Sequence, residues 1–246
     1  FTTFGCTVNP RAALIYHASE ATTFKLLYGQ AFRAPNAFEN FYESSFNKLN
    51  PELGPETIES SELVVEQRLG RNWRASASVF YNDIRDLIGY REDPEDGLFF
   101  FDNLDRVVAR GAEVEAQAQW AGGVQGRASY TYTQTEDSAT GERLSNSPEH
   151  LGIVGLSVPV RTEKLVASVE LQGMSERRTV RDGHVGGVML TNATLLGREI
   201  WKGLEVSASV YNLFDRRHSD PVAGDFLQDS IEQDGRTFRI HLTGRF

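Results

Sequence analysis

The sequence lacks a long apolar segment and has almost no cysteine. Its longest uncharged apolar stretch, Leu151–Val160, contains glycine and proline and is shorter than the ~18 residues that a membrane-spanning helix needs. A helical membrane protein is therefore excluded. A β-barrel is not excluded, because a spanning strand needs only ~9–11 residues with alternate ones apolar. The only cysteine, Cys6, has no partner for an internal disulfide, which is compatible with passage through an oxidising compartment.

Basic residues are also scarce relative to acidic ones. The chain has 25 lysines and arginines against 34 aspartates and glutamates, which gives a net charge of −9. Because nucleic-acid binding depends on a basic surface, we predict no nucleic-acid partner. The carboxylates between Asp215 and Asp234 lack the spacing of an EF-hand calcium loop, and we interpret this segment as a solvated acidic loop.

The motifs of metal sites and of common enzymes are missing as well. The five histidines lack the spacing of metal ligands. The sequence also contains neither a phosphate-binding loop nor a G-x-S-x-G element. We therefore predict no metal site, no cofactor and no enzymatic activity. One enzyme class stays open, a lipase-like barrel, because it needs only a serine and a histidine on the barrel wall.

What the sequence does contain is alternation with a period of two, which is clearest in its last stretch, Thr237–Phe246. Phe238, Ile240, Leu242 and Phe246 fall on one face, and polar residues lie between them. This pattern predicts a strand with one apolar face and one polar face. Bacterial outer-membrane barrels end on such a strand with an aromatic residue. We therefore interpret these four apolar residues as the signal that the barrel assembly machinery reads.

The same alternation predicts eleven strands along the chain. Short and long connections follow one another, as in outer-membrane barrels with tight periplasmic turns and long extracellular loops. Trp73, Trp120 and Trp201 lie at or beside short turns, where an interfacial aromatic girdle is expected. A soluble antiparallel sandwich predicts neither feature. The predicted strands are residues 11–19, 23–32, 60–69, 73–91, 98–120, 125–135, 151–158, 165–173, 187–196, 204–211 and 237–246.

We therefore predict an all-β protein, a transmembrane antiparallel β-barrel with an apolar face toward lipid and a polar face toward the lumen. Eleven is an odd number, whereas single-chain bacterial barrels have an even number of strands. The sheet should thus be open, with residues 11–19 and 237–246 as its edges. The residues predicted to face lipid are Val206, Ala208, Val169, Leu171, Ala116 and Ala118. Those predicted to face the lumen are Glu205, Ser207, Glu170, Gln117 and Gln119.

Four segments in order resemble TonB-dependent outer-membrane receptors. They are Tyr28–Pro35 (YGQAFRAP), Asn50–Glu56 (NPELGPE), Asn212–Arg217 (NLFDRR) and the closing Arg236–Phe246. The resemblance implies a barrel of 22 strands around a plugged lumen, of which residues 1–246 would be the eleven-stranded C-terminal half. The family's N-terminal plug domain and its TonB-engaging segment have no counterpart in this sequence, and we expect them in a preceding part of the protein.

The resemblance also implies a function and a location. It predicts an outer-membrane receptor for active, TonB-coupled uptake of a scarce nutrient, such as an iron–siderophore or a corrinoid. The implied partners are the TonB complex (through the N-terminal part), outer-membrane lipid and lipopolysaccharide, the barrel assembly machinery and a small-molecule ligand. A passive porin and the lipase-like barrel enzyme are the alternatives.

Aromatic residues in two connections on the long-loop side are our candidates for ligand binding. Large aromatic side chains supply contact area at low entropic cost. Packing of the loops against one another, or contact with lipid headgroups, would explain the same residues equally well. The candidates are Phe38, Phe41, Tyr42 and Phe46 in the first long loop, and Tyr90 and Phe99 near the next hairpin tip.

Overall fold

Eleven long strands form a single antiparallel sheet in a computed structural model that describes residues 7–160, 164–224 and 226–244. The sheet strands are β1 (Arg11–His17), β2 (Thr22–Arg33), β3 (Glu56–Leu69), β4 (Trp73–Glu92), β5 (Phe99–Gln119), β6 (Gln125–Asp137), β7 (His150–Pro159), β8 (Leu165–Met174), β11 (Val188–Trp201), β12 (Leu204–Tyr211) and β15 (Thr237–Gly244). Each strand pairs with its neighbours along the chain, so the order is β1-β2-β3-β4-β5-β6-β7-β8-β11-β12-β15. This order confirms the predicted count of eleven.

The long connections contain further short elements that the periodicity did not predict. Helix α1 (Ala37–Phe41) lies in the first long loop, and a single 3₁₀ turn spans Ala121–Gly123. Two small hairpins stand on the long-loop side. They are β9 (Arg177–Arg178) with β10 (His184–Val185), and β13 (Ser219–Pro221) with β14 (Ser230–Glu232).

The sheet is open, as predicted, with β1 and β15 at its two ends. Every residue of β1 is exposed, and so are nearly all of those of β15. The predicted end of the closing strand falls partly on Arg245 and Phe246, which lie outside the described residues. Unpaired strand edges are templates for further strand pairing, so both ends of this sheet can accept another strand.

The register aligns apolar side chains into one continuous face across the strands. Leu14 pairs with Leu26, Leu26 with Leu63, and Leu63 with Val79, and the same alignment continues to the pair of Ala208 with Ile240 on β12 and β15. Large apolar residues on this face are exposed, which a water-facing sheet would avoid. This is the lipid-facing side, and it carries the six residues predicted to face lipid.

The opposite face is polar and its side chains pair with one another. Lys25 binds Glu66, and Arg127 binds Glu170, in ion pairs between strands. Hydroxyl pairs add to these contacts, for example Ser157 with Ser168 at 2.8 Å. Pairing of this kind satisfies polar groups without a covering layer, as in the polar interior of a membrane barrel.

Tryptophans mark the short-turn end of the sheet. The rings of Trp73 and Trp120 meet edge to face with centroids 5.3 Å apart. Trp73 is paired with Ala118, which is buried, and Trp120 lies close against Gly126 on the next strand. The short turns use glycines in the left-handed region, such as Gly70 at φ 67° and Gly203 at φ 68°. Among the described residues, no helix is both long enough and apolar enough to cross a membrane.

Two predicted strand boundaries were wrong by four residues or more. β3 begins at Glu56 rather than at residue 60, because Glu56 to Glu59 already pair with Arg33 to Gln30 on β2. β11 continues to Trp201 rather than ending at residue 196, because a register shift between Gly197 and Trp201 lets the chain pair again at Leu204. Such an irregularity breaks the period of two on which the prediction depended.

Candidate ligand-binding site at the long-loop end

The first long loop is closed at its base by one arginine. Arg33, the last residue of β2, contacts Glu39 in α1 at 2.9 Å and Glu56, the first residue of β3, at 2.7 Å. Glu39 also takes part in a capping box with Asn36: the Asn36 side chain accepts from the Glu39 N–H at 2.9 Å, and the Asn36 N–H donates to the Glu39 carboxylate at 2.7 Å. These bonds fix where the helix begins and therefore where its aromatic residues point.

Helix α1 and the residue after it present two stacked rings. Phe38 and Tyr42 lie parallel with centroids 4.4 Å apart, and Phe38 meets Phe101 on β5 edge-on at 5.9 Å. Phe38 is four residues before Tyr42, so both fall on the same side of the turn. Phe41 lies on another side and is 72% exposed.

The β4–β5 hairpin supplies the next set of rings. Tyr90 stacks on Phe99 at 5.3 Å and contacts Phe101 at 4.9 Å, and its hydroxyl donates to the Asn47 side chain. The backbone of the first loop runs alongside β5 at this point. Phe99 donates to the Phe46 carbonyl at 2.8 Å, and Lys48 donates to the Phe99 carbonyl at 2.9 Å. The loop is thus held against the hairpin by main-chain bonds.

An ionic contact adds to this attachment at the hairpin tip. The Lys48 ammonium binds Asp93 and lies 2.9 Å from Asp96. The hydrogen bond from Lys48 is the main reason that the pKa of Asp93 lies below its ordinary value. The pKa of Asp96 is lowered first by the backbone N–H of Leu98 and then by Lys48. Both carboxylates in turn raise the pKa of Lys48, Asp93 more strongly than Asp96.

Two connections from the C-terminal part of the chain lie against these aromatic residues. Arg181, in the β9–β10 hairpin, donates to the carbonyls of Phe226 and Gly224 in the β13–β14 connection. A Cβ atom placed on Gly224 would lie 3.5 Å from the Phe99 ring, so this connection packs directly on the β4–β5 hairpin.

The β9–β10 hairpin is itself anchored by a buried arginine. The Arg177 side chain is only 7% exposed and binds Asp220 at 2.6 Å. It also donates to the Asn146 side chain at 3.1 Å and to the Ser219 carbonyl at 3.2 Å. One guanidinium therefore joins three long connections.

These loops surround a cavity of about 650 Å³, which is within the range of small-molecule sites. Five of the six predicted binding residues line it: Phe38, Tyr42, Phe46, Tyr90 and Phe99. The structure thus brings together two sets of candidates that are far apart in sequence. Phe41 is not among the lining residues. The other lining residues are Ser44, Asn47, Phe101, Arg181, Ala223, Gly224, Phe226 and Leu227.

The sequence analysis did not predict the part of the cavity wall that comes from the β9–β10 hairpin and the β13–β14 connection. Arg181 is the one cation among the cavity's described lining residues, yet the residues around it resemble any charged loop. Phe226 and Leu227 lie in a segment interpreted as a solvated acidic loop. No periodicity runs through these segments, so the sequence carried no signal that they would meet Phe99.

The remaining predicted sites lie elsewhere. Phe238, Ile240 and Leu242 line one face of the edge strand β15, at 73%, 74% and 64% exposure, whereas Phe246 falls outside the described residues. Within the described part of the chain, no group of three or more histidine, cysteine or acidic side chains is arranged to hold a metal ion.

Comparison with known proteins places this architecture in a family. Residues 2–213 match the family of TonB dependent receptor-like β-barrels. The heme/hemopexin utilization protein C of Haemophilus influenzae is 25% identical, covering 86% of this chain and 34% of that protein. The iron-regulated outer membrane virulence protein of Vibrio cholerae is 24% identical, over 97% of this chain and 39% of that protein. The chain therefore spans little more than a third of these relatives.

Solved structures show the same fold. The copper transporter OprC superposes with a TM-score of 0.77 at 20% identity, over 95% of this chain and 39% of that one. A ferric enterobactin receptor from Pseudomonas aeruginosa superposes with a TM-score of 0.75 at 20% identity, over 97% of this chain and 40% of that one. With an open antiparallel sheet, a lipid-facing side and a family match over most of its length, the chain belongs to the TonB-dependent receptor β-barrels of the bacterial outer membrane.

Proposed function

We propose that this chain is the eleven-stranded C-terminal half of a receptor barrel. The whole receptor would bind a metal chelate in the loop cavity and take it up with energy from the TonB complex. The open edges at β1 and β15 support the first part, because each can pair with a strand from a preceding part of the same protein. The TonB complex would act through that preceding part, and no residue of this chain is assigned a role in the coupling.

The cavity is the observation that carries the proposal. It joins aromatic residues from the first loop and the β4–β5 hairpin with Arg181 and Phe226 from the late loops. Aromatic faces pack against flat conjugated groups, and a guanidinium attracts negative charge. This lining favours a flat, conjugated and anionic ligand. A ferric catecholate and haem both fit that description better than a neutral solute does.

Apart from the copper transporter OprC, the names of the relatives support iron as the metal. They refer to heme and hemopexin utilization, to iron regulation and to ferric enterobactin. The cavity lining contains Tyr42 and Tyr90 but no histidine among its described residues. Of the usual axial ligands of haem iron, histidine, cysteine, methionine and tyrosine, only tyrosine is therefore present. We propose an iron–siderophore as the first candidate, ahead of haem and of the corrinoid.

The two alternatives have less support. A passive porin needs an open lumen and has no need of an aromatic cavity among its loops. A lipase-like enzyme needs a serine hydrogen-bonded to a histidine. In the described part of the chain, His17 and His150 bond to the hydroxyls of Thr23 and Tyr130, and His218 contacts the carbonyl of Arg216. None of these three partners is a serine, whereas His241 lies opposite Ser207 in the strand register, so the ester-cleavage assay below decides on this alternative.

Growth of a receptor-deleted strain tests the proposal. The strain would carry the full-length gene, with and without a functional TonB complex, and would be supplied with ferric catecholate, ferric hydroxamate, haem or cobalamin as the sole source of the limiting nutrient. We expect growth on ferric catecholate only when TonB is active. Growth that does not depend on TonB, together with entry of unrelated small solutes, would indicate a porin. Cleavage of a lipid ester by the purified receptor would indicate an enzyme.

A further inference from the structure

The arginine in the cavity wall lies at the centre of a tight turn. Arg181 is the middle residue of the turn 179–183, which joins β9 to β10. The Thr179 N–H donates to the Gly183 carbonyl at 2.9 Å, and the Gly183 N–H donates to the Thr179 hydroxyl at 2.9 Å. Because both bonds span Arg181, they fix the backbone from which its side chain leaves.

The same hydroxyl ties the turn to the β13–β14 connection. Thr179 donates to the Asp229 carboxylate at 2.5 Å, in addition to accepting from Gly183. Thr179 is only 3% exposed, so this contact is shielded from water. A Cβ atom on Gly183 would lie 2.5 Å from the same carboxylate, so glycine at this position permits the close approach.

The side chain of Arg181 reaches the same connection at a second point. Its Nη2 donates to the carbonyls of Phe226 at 2.5 Å and Gly224 at 3.3 Å. Both bonds use one nitrogen of a group that has five donors, and the side chain is exposed and lines the cavity. Both ends of Arg181 are therefore held, the backbone end by Thr179 and the guanidinium end by two carbonyls.

Stability alone does not account for this contact. The described part of the chain contains two buried side-chain atoms without a hydrogen-bond partner, Arg177 Nε and Asp229 Oδ1. Both belong to the β9–β10 hairpin or to the connection that it contacts. Such atoms cost free energy, and local departures from complete pairing are expected where function requires a fixed geometry.

We propose that Thr179, with Asp229 as its partner, is a positioning residue that sets the charge specificity of the cavity by fixing Arg181. This inference rests on the proposed function, in which the cavity binds an anionic metal chelate. A guanidinium recognises pairs of negative oxygens through a rigid fork of donors, so its contribution depends on its orientation. An arginine that is already held loses less freedom on binding, and it therefore separates an anionic chelate from a neutral one more strongly.

The test measures the equilibrium Kd of the full-length receptor for an anionic ferric catecholate and for a neutral ferric hydroxamate. Thr179→Val removes the hydroxyl and Thr179→Ser keeps it. Gly183→Ala disturbs the same contact without changing a charge, because its Cβ would meet the Asp229 carboxylate. Thr194→Val is the matched control, since it removes a hydroxyl that pairs with Ser209 on the polar face of the sheet.

We expect wild type, Thr179→Ser and Thr194→Val to bind the catecholate at least ~10-fold more tightly than the hydroxamate, as a charge-assisted hydrogen bond allows. Thr179→Val and Gly183→Ala should each lower this ratio. Thr179→Val should have no further effect on the ratio when Arg181→Gln is already present, because coupled residues are not additive. An equal loss for both ligands, or a loss that persists beside Arg181→Gln, would overturn the proposal.

A second measurement needs no ligand and separates this inference from the proposed function. Phenylglyoxal modifies guanidinium groups, and peptide mass mapping follows its rate of reaction with Arg181 in the ligand-free receptor. Thr179→Val should raise that rate several-fold and leave the rate at Arg71, in a short turn at the other end of the sheet, unchanged. An unchanged rate at Arg181 would overturn the positioning role. Wild type that binds neither chelate would overturn the proposed function and the charge specificity with it, while the modification rates still decide whether Thr179 fixes Arg181.

Discussion

The Lys48 ammonium lies 2.9 Å from the Asp96 carboxylate and links the first long loop to the tip of the β4–β5 hairpin. The same ammonium binds Asp93, so one cation lies between two carboxylates. The contact stands at the margin of the aromatic cavity, because Asn47, the residue before Lys48, is part of the cavity lining. It therefore bears on how firmly the loop is held over the site.

We predict that this link is lost in acid. A carboxylate whose pKa is lowered in the folded state contributes stability above its ordinary pKa, and that contribution disappears as the pH falls through the lowered value. The lowered pKa values of Asp93 and Asp96 therefore place the loss below pH 3.8, their ordinary value. Hydrogen-exchange protection of the amides of Lys48 and Phe99 should fall in that range.

At neutral pH, Lys48→Gln should lower the same protection in the full-length receptor. Lys202→Gln, in the short turn at the opposite end of the sheet, is the matched control and should leave it unchanged. Protection that is identical in the wild type and the Lys48 variant at pH 7 would mean that the main-chain bonds alone hold the loop.

The two faces of the sheet should respond differently to one substitution at neighbouring positions. Ala116→Arg puts a charge on the lipid-facing side, two residues from the Trp73–Ala118 pair at the short-turn end, and should cost about 1–2 kcal/mol, because the cost of a lipid-facing arginine is largest at the midplane and falls toward the interfaces. Gln117→Arg puts the same charge on the polar side and should cost much less. Equilibrium refolding of the full-length receptor into lipid vesicles measures the free-energy cost of each substitution. Equal costs would contradict the assignment of the faces.

Gly111 on β5 allows close approach of two neighbours. A Cβ at this position would lie 2.1 Å from the Tyr132 carbonyl oxygen and 2.7 Å from the Phe80 ring. Gly111→Ala should therefore destabilise the barrel by about 1–3 kcal/mol, as overpacking does. Gly173→Ala is the control, because its Cβ would meet no described atom within 4 Å. The same refolding assay should show a clear loss for Gly111→Ala only.

The strands were predictable because alternation of apolar and polar residues is a local property. Leu204–Tyr211 has the same boundaries in sequence and structure, since the apolar residues Leu204, Val206, Ala208 and Val210 alternate without a break. Helix α1 has a capping-box signature in the sequence, with Asn36 three residues before Glu39. It was not predicted, because the polar segment around it was interpreted as a loop. Short helices and hairpins of this size depend on contacts made by neighbouring loops.

The cavity was predictable only in part. Aromatic residues in two connections on the same side of a barrel suggested a site, and Phe38 and Tyr90 do line one cavity. The wall formed by Arg181 and Phe226 depends on Arg177, whose buried contacts join loops that are distant in sequence. Contacts between irregular segments follow no period, so they could be found only in three dimensions.

Phe46 and Phe41 allow the most direct test of the aromatic cavity as the ligand site. They belong to the same loop and are similarly exposed, at 74% and 72%, but only Phe46 lines the cavity. The measurement is the equilibrium Kd for ferric catecholate of two variants of the full-length receptor, Phe46→Ala and Phe41→Ala. Surface expression is checked for each variant. We predict that Phe46→Ala weakens binding at least ~10-fold, as loss of an aromatic anchor does, and that Phe41→Ala binds like wild type. Unchanged binding by Phe46→Ala, or an equal loss in both variants, would contradict the account.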